Sequence, residues 1–324
     1  MIDNGATALL IAAFLDYLIA DPQSLPHPVQ LMGSLIAFTT QIVTNLTKNS
    51  AVRRLAGMAL GMGLIFGSGS LVWVVIALSK QVSVAFSFSL QVILLASCFA
   101  GRSLRQAAIA VLTPLKNNDI ATARTQLSYY VGRDTDDLSS TEVTRAVLET
   151  VAENTTDGVT APLFYAIVGL FIPGVGSVPL AIAYKAASTL DSMVGYQRDP
   201  FTDIGWFSAK FEDFLTWLPC RLTVLSIGLI ARQPWKVWQI CQRDAIQDPS
   251  PNAGWSECAY AVVLDVQLGG KNTYQGVIKE KPLLGNPNQP ITEEKIEQAL
   301  TLTRLCFLSW LFLAVGLSWT TALV

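Results

Sequence analysis

The feature that most constrains this fold is a set of long apolar stretches without a charged residue. Residues 55–79 and 305–323 approach the roughly 20 apolar residues that cross a bilayer as a helix, and residues 83–100 form a slightly shorter stretch directly after the first. Only 14% of the 324 residues are charged, against about 25% in a typical soluble domain. We therefore expect an all-α, multi-pass membrane bundle in which 55–79 and 83–100 form a helical hairpin.

Three weaker apolar stretches contain a charge or a break. Residues 5–20 include Asp16, residues 214–231 include Arg221, and residues 162–187 are interrupted by IPGVGSVP. Pro and Gly interrupt a membrane helix only where protein or water shelters the backbone, so broken or re-entrant helices are expected. Arg221 is either a functional charge within the membrane or a residue whose side chain extends to the polar surface near a helix end.

Basic residues flank the predicted hairpin on both sides; they are Lys48, Arg53, Arg54, Arg102, Arg105 and Lys116. The positive-inside rule therefore places both hairpin ends in the cytoplasm. We expect a single integral-membrane domain over 1–324, with main polar loops at 101–160 and 232–304 and a site that faces the cytoplasm from the inner membrane.

Several function classes are disfavoured by the composition. The net charge of −2 suggests no nucleic-acid partner, and the five scattered cysteines form no CxxC. His27 is the only histidine, which argues against a His-rich metal centre and a His-dependent triad. No basic segment precedes the first apolar stretch, so no cleaved signal peptide is expected.

An acidic stripe lies on a predicted amphipathic helix. Ser139 and Glu142 form a capping-box pattern that begins the helix, and we expect its end at 154–158. Glu149, Glu153 and Asp157 then follow at four-residue intervals, where like charges repel by roughly 0.2–0.5 kcal/mol per pair. A solvated helix face is the ordinary explanation. The functional explanation is that the carboxylates bind Mg²⁺, which prefers oxygen ligands and would offset their charge.

Other polar stretches concentrate outside the strongest spans. In DPQSLPHPVQLMG, prolines fix the backbone around His27, either as a rigid connector or as part of a site. In YKAASTLDSMVGY, Lys185 and Asp191 lie six residues apart. They form either an ion pair with each other or a site in which Lys185 binds a phosphate oxygen. LGGKNT at 268–273 does not complete a Walker A loop, although its glycines allow close approach of a ligand.

Six stretches together resemble the adenosylcobinamide-phosphate synthases of cobalamin biosynthesis. They are, in chain order, DPQSLPHPVQLMG, GRDTDDLS, ETVAENTTDGVTAPLFY, YKAASTLDSMVGY, the ED…LPCRLT run and SPNAGW…VQLGGKNTYQG. The resemblance implies ATP-dependent attachment of aminopropanol, free or phosphorylated, to the remaining propionate of adenosylcobyric acid by a membrane protein that needs a divalent cation. The chain departs from the pattern at Ser188, Ser256 and Asp265.

This resemblance leads to a hypothesis for the site. Mg²⁺ is assigned to Glu149, Glu153 and Asp157. Arg133 and Lys185 would stabilise the negative charge of phosphate. The general base would be Asp191, Asp134 or His27. The remaining candidates for binding ATP or substrate are Asn252, Gly269, Gly270 and Lys271. Cobalt would arrive within the corrinoid substrate, the bilayer is an expected partner, and other late cobalamin enzymes are further candidate partners.

Three rival functions remain open. A transporter of a small molecule or corrinoid would suit broken apolar helices with embedded charges, but no repeated halves are visible. A Mg²⁺-dependent lipid head-group transferase is suggested by TTDGVTAP, but no second D-x₃-D follows. A membrane scaffold leaves the clustered carboxylates without a role.

Overall fold

The computed structural model describes residues 4–19, 28–196 and 198–322. These residues form α-helices and one small sheet, which confirms the expected helical membrane class. The elements are α1 (Asn4–Ile19), α2 (Pro28–Leu46), α3 (Ser50–Val82), α4 (Val84–Ala96), α5 (Gly101–Lys116), α6 (Ile120–Ser128), α7 (Ser140–Asn154), α8 (Ala161–Phe171), α9 (Ser177–Val194), α10 (Phe201–Ile204), α11 (Trp206–Ile230), α12 (Pro234–Asp244), α13 (Ala253–Leu264), β1 (Gln267–Tyr274), β2 (Val277–Gly285) and α14 (Glu293–Ala322).

The chain divides into two compact units, each built from separated stretches. Unit 1 takes the described residues of 1–100, 161–216 and 309–324, and unit 2 takes 101–160 and 217–308. Each unit is described by itself below, and the prediction of a single domain stays a prediction.

Four helical segments are long and apolar enough to cross a membrane, as judged by length and composition among the described residues. They are Ser50–Val82, Val84–Lys116, Trp206–Ile230 and Glu293–Thr320. Three of them overlap the strong predicted spans, and Trp206–Ile230 overlaps the weaker stretch 214–231. Residues 5–20 give only the shorter apolar helix α1.

The predicted helical hairpin is confirmed within unit 1. Ser83 alone separates α3 from α4, and the two helices pack together. Glycines on α3 permit close helix contacts: a Cβ at Gly57 would lie 1.9 Å from the backbone oxygen of Ile204. Small residues at such contacts are typical of membrane helix packing.

The predicted break in 162–187 is also confirmed. Helix α8 ends at Phe171, α9 begins at Ser177, and the connecting Gly174 and Gly176 have φ of +81° and +85°. Helices α8 and α9 pack on each other, so this stretch forms two helices rather than one span.

The two stretches predicted as main polar loops, 101–160 and 232–304, contain regular secondary structure. The first stretch contains α5, α6 and α7, and the second contains α12, α13, the β1–β2 hairpin and the start of α14. The sequence is polar there because these elements carry the polar groups of unit 2, and polarity alone does not prevent helix formation.

The predicted end of the acidic α-helix agrees with the structure, in which α7 ends at Asn154. After α7, residues Thr155–Thr160 continue as a π-helix that leads directly into α8. Threonine hydroxyls satisfy backbone carbonyls here: Thr155 donates to Val151 at 2.7 Å and Thr160 to Thr155 at 3.1 Å. Insertions of this kind occur frequently at functional sites.

Candidate functional site

The polar residues of unit 2 gather around α7, α13 and the β1–β2 hairpin, elements that contact one another. The capping box predicted for α7 is present, because Ser139 accepts from the Glu142 backbone and Glu142 accepts from the Ser139 backbone. The apolar face predicted for α7 is buried, with Val143 and Leu148 fully enclosed. One face of α7 is therefore fixed in the core, and its acidic face is turned toward the hairpin.

Glu149 is buried between two arginines. Its Oε2 lies 2.5 Å from Arg133 Nη2, and its Oε1 lies 3.4 Å from Arg145 Nη1. The Gly269 backbone N–H donates to Oε1 at 3.0 Å, and the side chain is 2% exposed. The positive charge that offsets Glu149 thus comes from arginines of the chain itself.

Asn272 completes this arginine cluster, which we define as Arg133, Arg145, Glu149 and Asn272. Asn272 Oδ1 accepts from Arg133 at 2.8 Å and from Arg145 at 3.2 Å. Because two guanidinium groups must face the amide oxygen, its Nδ2 points elsewhere; Nδ2 is buried and has no hydrogen-bond partner among the described residues. The cluster therefore has one positive charge in excess and a free donor, both of which suit an oxyanion.

The hairpin is held against the GRDTDD loop by Asp134. The Asp134 backbone donates to Thr273 O at 2.8 Å, and its two carboxylate oxygens accept from Gln275 and Gly276 backbone N–H at 2.9 and 2.8 Å. Both residues of this two-residue turn have positive φ, as type I′ hairpins require. Asp134 therefore positions the turn, and this geometry lends no support to its predicted role as a base.

Gly269 and Gly270 lie at an irregularity of strand β1, where the register shifts between Leu268 and Gly270. Gly269 has φ +83°, and a Cβ there would lie 2.0 Å from Pro282 O. Arg145 also hydrogen-bonds to the backbone of this strand: it donates to Gly269 O and, at 3.1 Å, to Lys271 O. The glycines are thus explained by backbone geometry, and the Lys271 side chain is exposed.

A second charged cluster lies on the neighbouring face of α13. Glu257 is fully buried and its Oε1 lies 3.1 Å from Lys281 Nζ on β2. Burial foremost, with Glu153 and Glu149, raises the pKa of Glu257 to about 8 against the opposing effect of Lys281. Burial alone would lower the pKa of Lys281, but nearby carboxylates, Glu257 foremost, raise it above its usual value.

Two buried acceptors near Lys281 lack partners. Among the described residues, neither Glu257 Oε2 nor Asp248 Oδ2 accepts a hydrogen bond. Asp248 Oδ1 accepts from the Ser250 backbone at 2.9 Å, so its second oxygen alone is unused. Buried polar atoms are normally satisfied, and these two stand out for that reason.

Arg221 on α11 is held by side chains rather than extended to a helix end. Its Nη1 donates to Asn252 Oδ1 at 2.9 Å, and its guanidinium lies 4.5 Å from the Trp255 ring centre and 5.2 Å from that of Trp217. Asn252 itself is buried. This cation–π arrangement stabilises Arg221 and gives Asn252 a structural contact as well as its predicted binding role.

Hydroxyl groups join the π-helix to its neighbours. Thr155, Tyr260 and Thr303 hydrogen-bond to one another at 3.0, 2.8 and 2.6 Å. Ser256 donates to Ala152 O at 2.5 Å. The departure from the family pattern at position 256 thus supplies a hydroxyl that ties α13 to α7.

The three predicted metal ligands have different surroundings. Both Glu149 oxygens face arginine or backbone donors, so this residue does not fit a cation site. Glu153 is exposed and Asp157 is half-buried, and two carboxylates can hold Mg²⁺ when water and phosphate complete its shell. Among the described residues, no three His, Cys, Asp or Glu side chains are placed to share a metal ion.

Lys185 and Asp191 lie on α9 in unit 1, where both are half-buried. In the same unit, buried Glu212 accepts from Thr216 and, at 3.4 Å, from Tyr184. The catalytic roles of Lys185 and Asp191 stay predictions. His27 lies outside the described residues.

Sequence reasoning missed five residues of the two clusters: Arg145, Asn272, Glu257, Lys281 and Asp248. Arg145 had a visible signal, because it lies four residues before Glu149 on a predicted helix. Glu257 had another, since it is the only acid in the apolar segment that forms α13. Asn272 and Lys281 gave no local signal.

Comparisons with known proteins agree with the earlier resemblance. The family described as CobD/Cbib protein matches residues 9–303. The cobalamin biosynthesis protein CobD of Synechocystis sp. is 54% identical over 304 residues, which cover 94% of this chain and 89% of that protein.

Two further relatives are each 40% identical to this chain. The cobalamin biosynthesis protein CbiB of Salmonella typhimurium matches over 91% of this chain and 92% of its own length. The cobalamin biosynthesis protein CobD of Halalkalibacterium halodurans matches over 98% of both chains. No solved structure matches the chain.

Proposed function

Since this chain belongs to the CobD/CbiB family of cobalamin biosynthesis proteins, we propose that it is an ATP-dependent amide ligase. It joins aminopropanol, or its phosphate, to the remaining propionate of adenosylcobyric acid and forms adenosylcobinamide or its phosphate. We further propose that the site faces the cytoplasm from the inner membrane, where other late cobalamin enzymes could deliver the corrinoid.

Amide formation requires activation of the carboxylate, because its oxygen is a poor leaving group. Transfer of the γ-phosphoryl group of ATP to that oxygen gives an acyl phosphate and ADP. The amine nitrogen then bonds to the carbonyl carbon, the C–O bond to phosphate breaks, and phosphate leaves. Catalysis of phosphoryl transfer depends mainly on positioning and on stabilising negative charge.

The arginine cluster is the observation that carries this proposal. Arg133 and Arg145 share one carboxylate, so an excess positive charge remains beside the unused Asn272 Nδ2 donor. A phosphoryl oxygen would accept from Nδ2 and satisfy both the charge and the donor. Arg133 thus keeps its predicted role in stabilising phosphate, and Arg145 and Asn272 join it.

Glu153 and Asp157 are the residues that fit a divalent cation, with substrate phosphate completing its shell. When bound, Mg²⁺ would neutralise part of the phosphoryl charge. Lys185 is retained as a candidate phosphate ligand and Asp191 or His27 as a candidate base.

Asn272→Asp tests the oxyanion site, because it replaces the free donor with an oxygen and keeps the shape of the side chain. The new carboxylate faces both arginines, so the protein should stay folded while the cluster becomes neutral. We expect the KM for ATP to rise by about tenfold or more, which corresponds to about 1.4 kcal/mol. The assay is formation of the amide product in detergent-solubilised or reconstituted protein.

Asn117→Asp serves as the matched control, since it adds the same charge at an exposed position of unit 2. Its KM for ATP should equal that of the parent. If Asn272→Asp folds and retains the parental KM for ATP and for adenosylcobyric acid, the arginine cluster is not the oxyanion site.

A further inference from the structure

We propose that Glu257 and Asp248 bind the ammonium group of the amine substrate, a primary amino alcohol. This inference rests on the proposed function and assigns its second substrate to a place in unit 2. We call this place the acidic cluster and define it as Glu257, Asp248, Glu153 and Lys281.

The unused acceptors are the first argument. Glu257 is 0% exposed and Asp248 is 9% exposed, yet Glu257 Oε2 and Asp248 Oδ2 have no hydrogen-bond partner among the described residues. A buried acceptor without a partner destabilises the folded protein. A ligand that donates hydrogen bonds would relieve this destabilisation, and an ammonium group offers up to three donors.

The charge of the acidic cluster is the second argument. Glu257, Glu153 and Asp248 all act electrostatically on Lys281. Burial raises the pKa of Glu257, and a bound ammonium would favour its ionised form, so that three carboxylates would face the ligand and Lys281. Lys281 already places one ammonium 3.1 Å from Glu257 Oε1. The second oxygen of the same carboxylate is thus suited to the same chemical group, and a cationic ligand would reduce the net negative charge.

The acidic cluster can be reached from solvent. Glu153 is exposed, and the Lys281 side chain is 26% exposed. A short amino alcohol could therefore enter between them with its ammonium directed at Glu257, while its hydroxyl or phosphate group stays nearer the surface.

An ammonium group fits the unused Glu257 and Asp248 acceptors better than a divalent cation does. Lys281 occupies one Glu257 oxygen, and a doubly charged ion beside it would meet strong repulsion. Mg²⁺ also requires near-octahedral coordination, and the described residues hold no group of three ligating side chains close enough to share an ion. An ammonium group needs only two or three acceptors.

The position of the acidic cluster agrees with amide synthesis. Glu149 of the arginine cluster and Glu153 of the acidic cluster are four residues apart on α7, where side chains lie about 5–6 Å apart between Cβ atoms. Glu149 and Glu153 also both act on Glu257. An ammonium held at Glu257 would therefore lie beside the proposed oxyanion site, where the carboxylate is activated.

The test compares Glu257→Gln and Asp248→Asn with the parent. Each variant keeps the shape of its side chain and removes the negative charge. We expect the KM for 1-amino-2-propanol to rise by about tenfold or more, since hydrogen bonds to charged groups are stronger than those between neutral groups. The KM for ATP should change by less than about twofold. Glu280→Gln, an exposed change on the same strand as Lys281, should alter neither constant.

A binding measurement without ATP or corrinoid separates this inference from the proposed function. Calorimetric titration with 1-amino-2-propanol should show binding to the parent and to Glu280→Gln, and loss of binding in the two variants; 2-propanol, which lacks the ammonium, should not compete. Binding that depends on Glu257 without any amide product would contradict the ligase and support the amine site.

Two results would overturn the inference. One is amide synthesis by folded Glu257→Gln and Asp248→Asn with the parental KM for the amine. The other is loss of Mn²⁺ binding in both variants while amine binding persists, which would make the cluster a metal site. Because Asp248 lies in a turn before α13, its variant keeps the test decisive if Glu257→Gln fails to fold.

Discussion

Replacing Glu149 with Gln should destabilise unit 2 strongly. Glu149 accepts hydrogen bonds from Arg133, Arg145 and the Gly269 backbone. Gln keeps the shape but removes the carboxylate that forms ion pairs with both arginines, and its amide group directs two donors toward groups that also donate.

The magnitude follows from the burial of the three side chains. Glu149 is 2% exposed, Arg133 8% and Arg145 15%, so none of the charges is well screened by water. Removing one partner of a buried ion pair typically costs about 3–5 kcal/mol, because an uncompensated charge stays buried. Glu153→Gln, one turn away at an exposed position, should change stability by no more than about 0.5 kcal/mol.

Denaturant unfolding in mixed micelles, followed by circular dichroism, measures this difference. Arg133→Gln combined with Glu149→Gln should lose less stability than the sum of the single changes, by about 0.5–3 kcal/mol, because the two residues interact directly. Equal stability of Glu149→Gln and Glu153→Gln would refute the ion-pair account. Stabilisation of the parent by Mg²⁺ that disappears in Glu149→Gln would instead restore Glu149 as a metal ligand.

Three further predictions concern the same unit. Asp265→Gly should be at least as stable as the parent in denaturant unfolding, and Asp265→Ala should lose about 1 kcal/mol, because this helix-ending residue has left-handed φ of 61°. Tyr260→Phe should lower the free energy of unfolding by about 0.5–1.5 kcal/mol, since it removes a hydroxyl that hydrogen-bonds to two threonines. An unchanged denaturant midpoint of unfolding would contradict this expectation. Glu257 binds its proton more tightly in the folded state, with a pKa of about 8 against an ordinary 4.5 and with Lys281, Glu153 and Glu149 as the charged groups acting on it. Unfolding measured from pH 5 to 8 should therefore show stability falling as pH rises, and Glu257→Gln should flatten that slope.

Hydropathy and local patterns were sufficient for part of the fold. The uncharged stretches located α3, α4 and α14 because a bilayer demands length and apolarity above all. The Ser139–Glu142 pattern located the start of α7 because a capping box is a local interaction. The break before α9 followed from Pro and Gly for the same reason.

Features that depend on distant partners were not visible. Glu149 contacts Gly269, 120 residues away, and no spacing rule relates the two. The hairpin escaped prediction because β1 is rich in Gly and polar residues, which have low strand propensity, and its turn is fixed by Asp134 from another segment. The π-helix that follows α7 was not predicted, because it depends on buried threonine hydroxyls that satisfy the backbone there.

The sequence identified polar segments of the candidate site but not the contacts that their side chains make. Polar residues on α7, on the loop before it and on β1 do converge in unit 2, but Glu149 pairs with arginines and Asp134 with a turn. The roles of Glu153, Asp157, Asn252, Lys185 and Asp191 remain predictions, because their surroundings do not decide between structure and catalysis.

The central claim is tested most directly by incubating purified, reconstituted protein with adenosylcobyric acid, 1-amino-2-propanol or its phosphate, ATP and Mg²⁺, and analysing the corrinoid by mass spectrometry. The account predicts a new corrinoid heavier by the amine minus water, formed with release of ADP and only when ATP is present. Accumulation of unmodified corrinoid inside the vesicles, with no amide product from either amine, would contradict the ligase and favour a transporter.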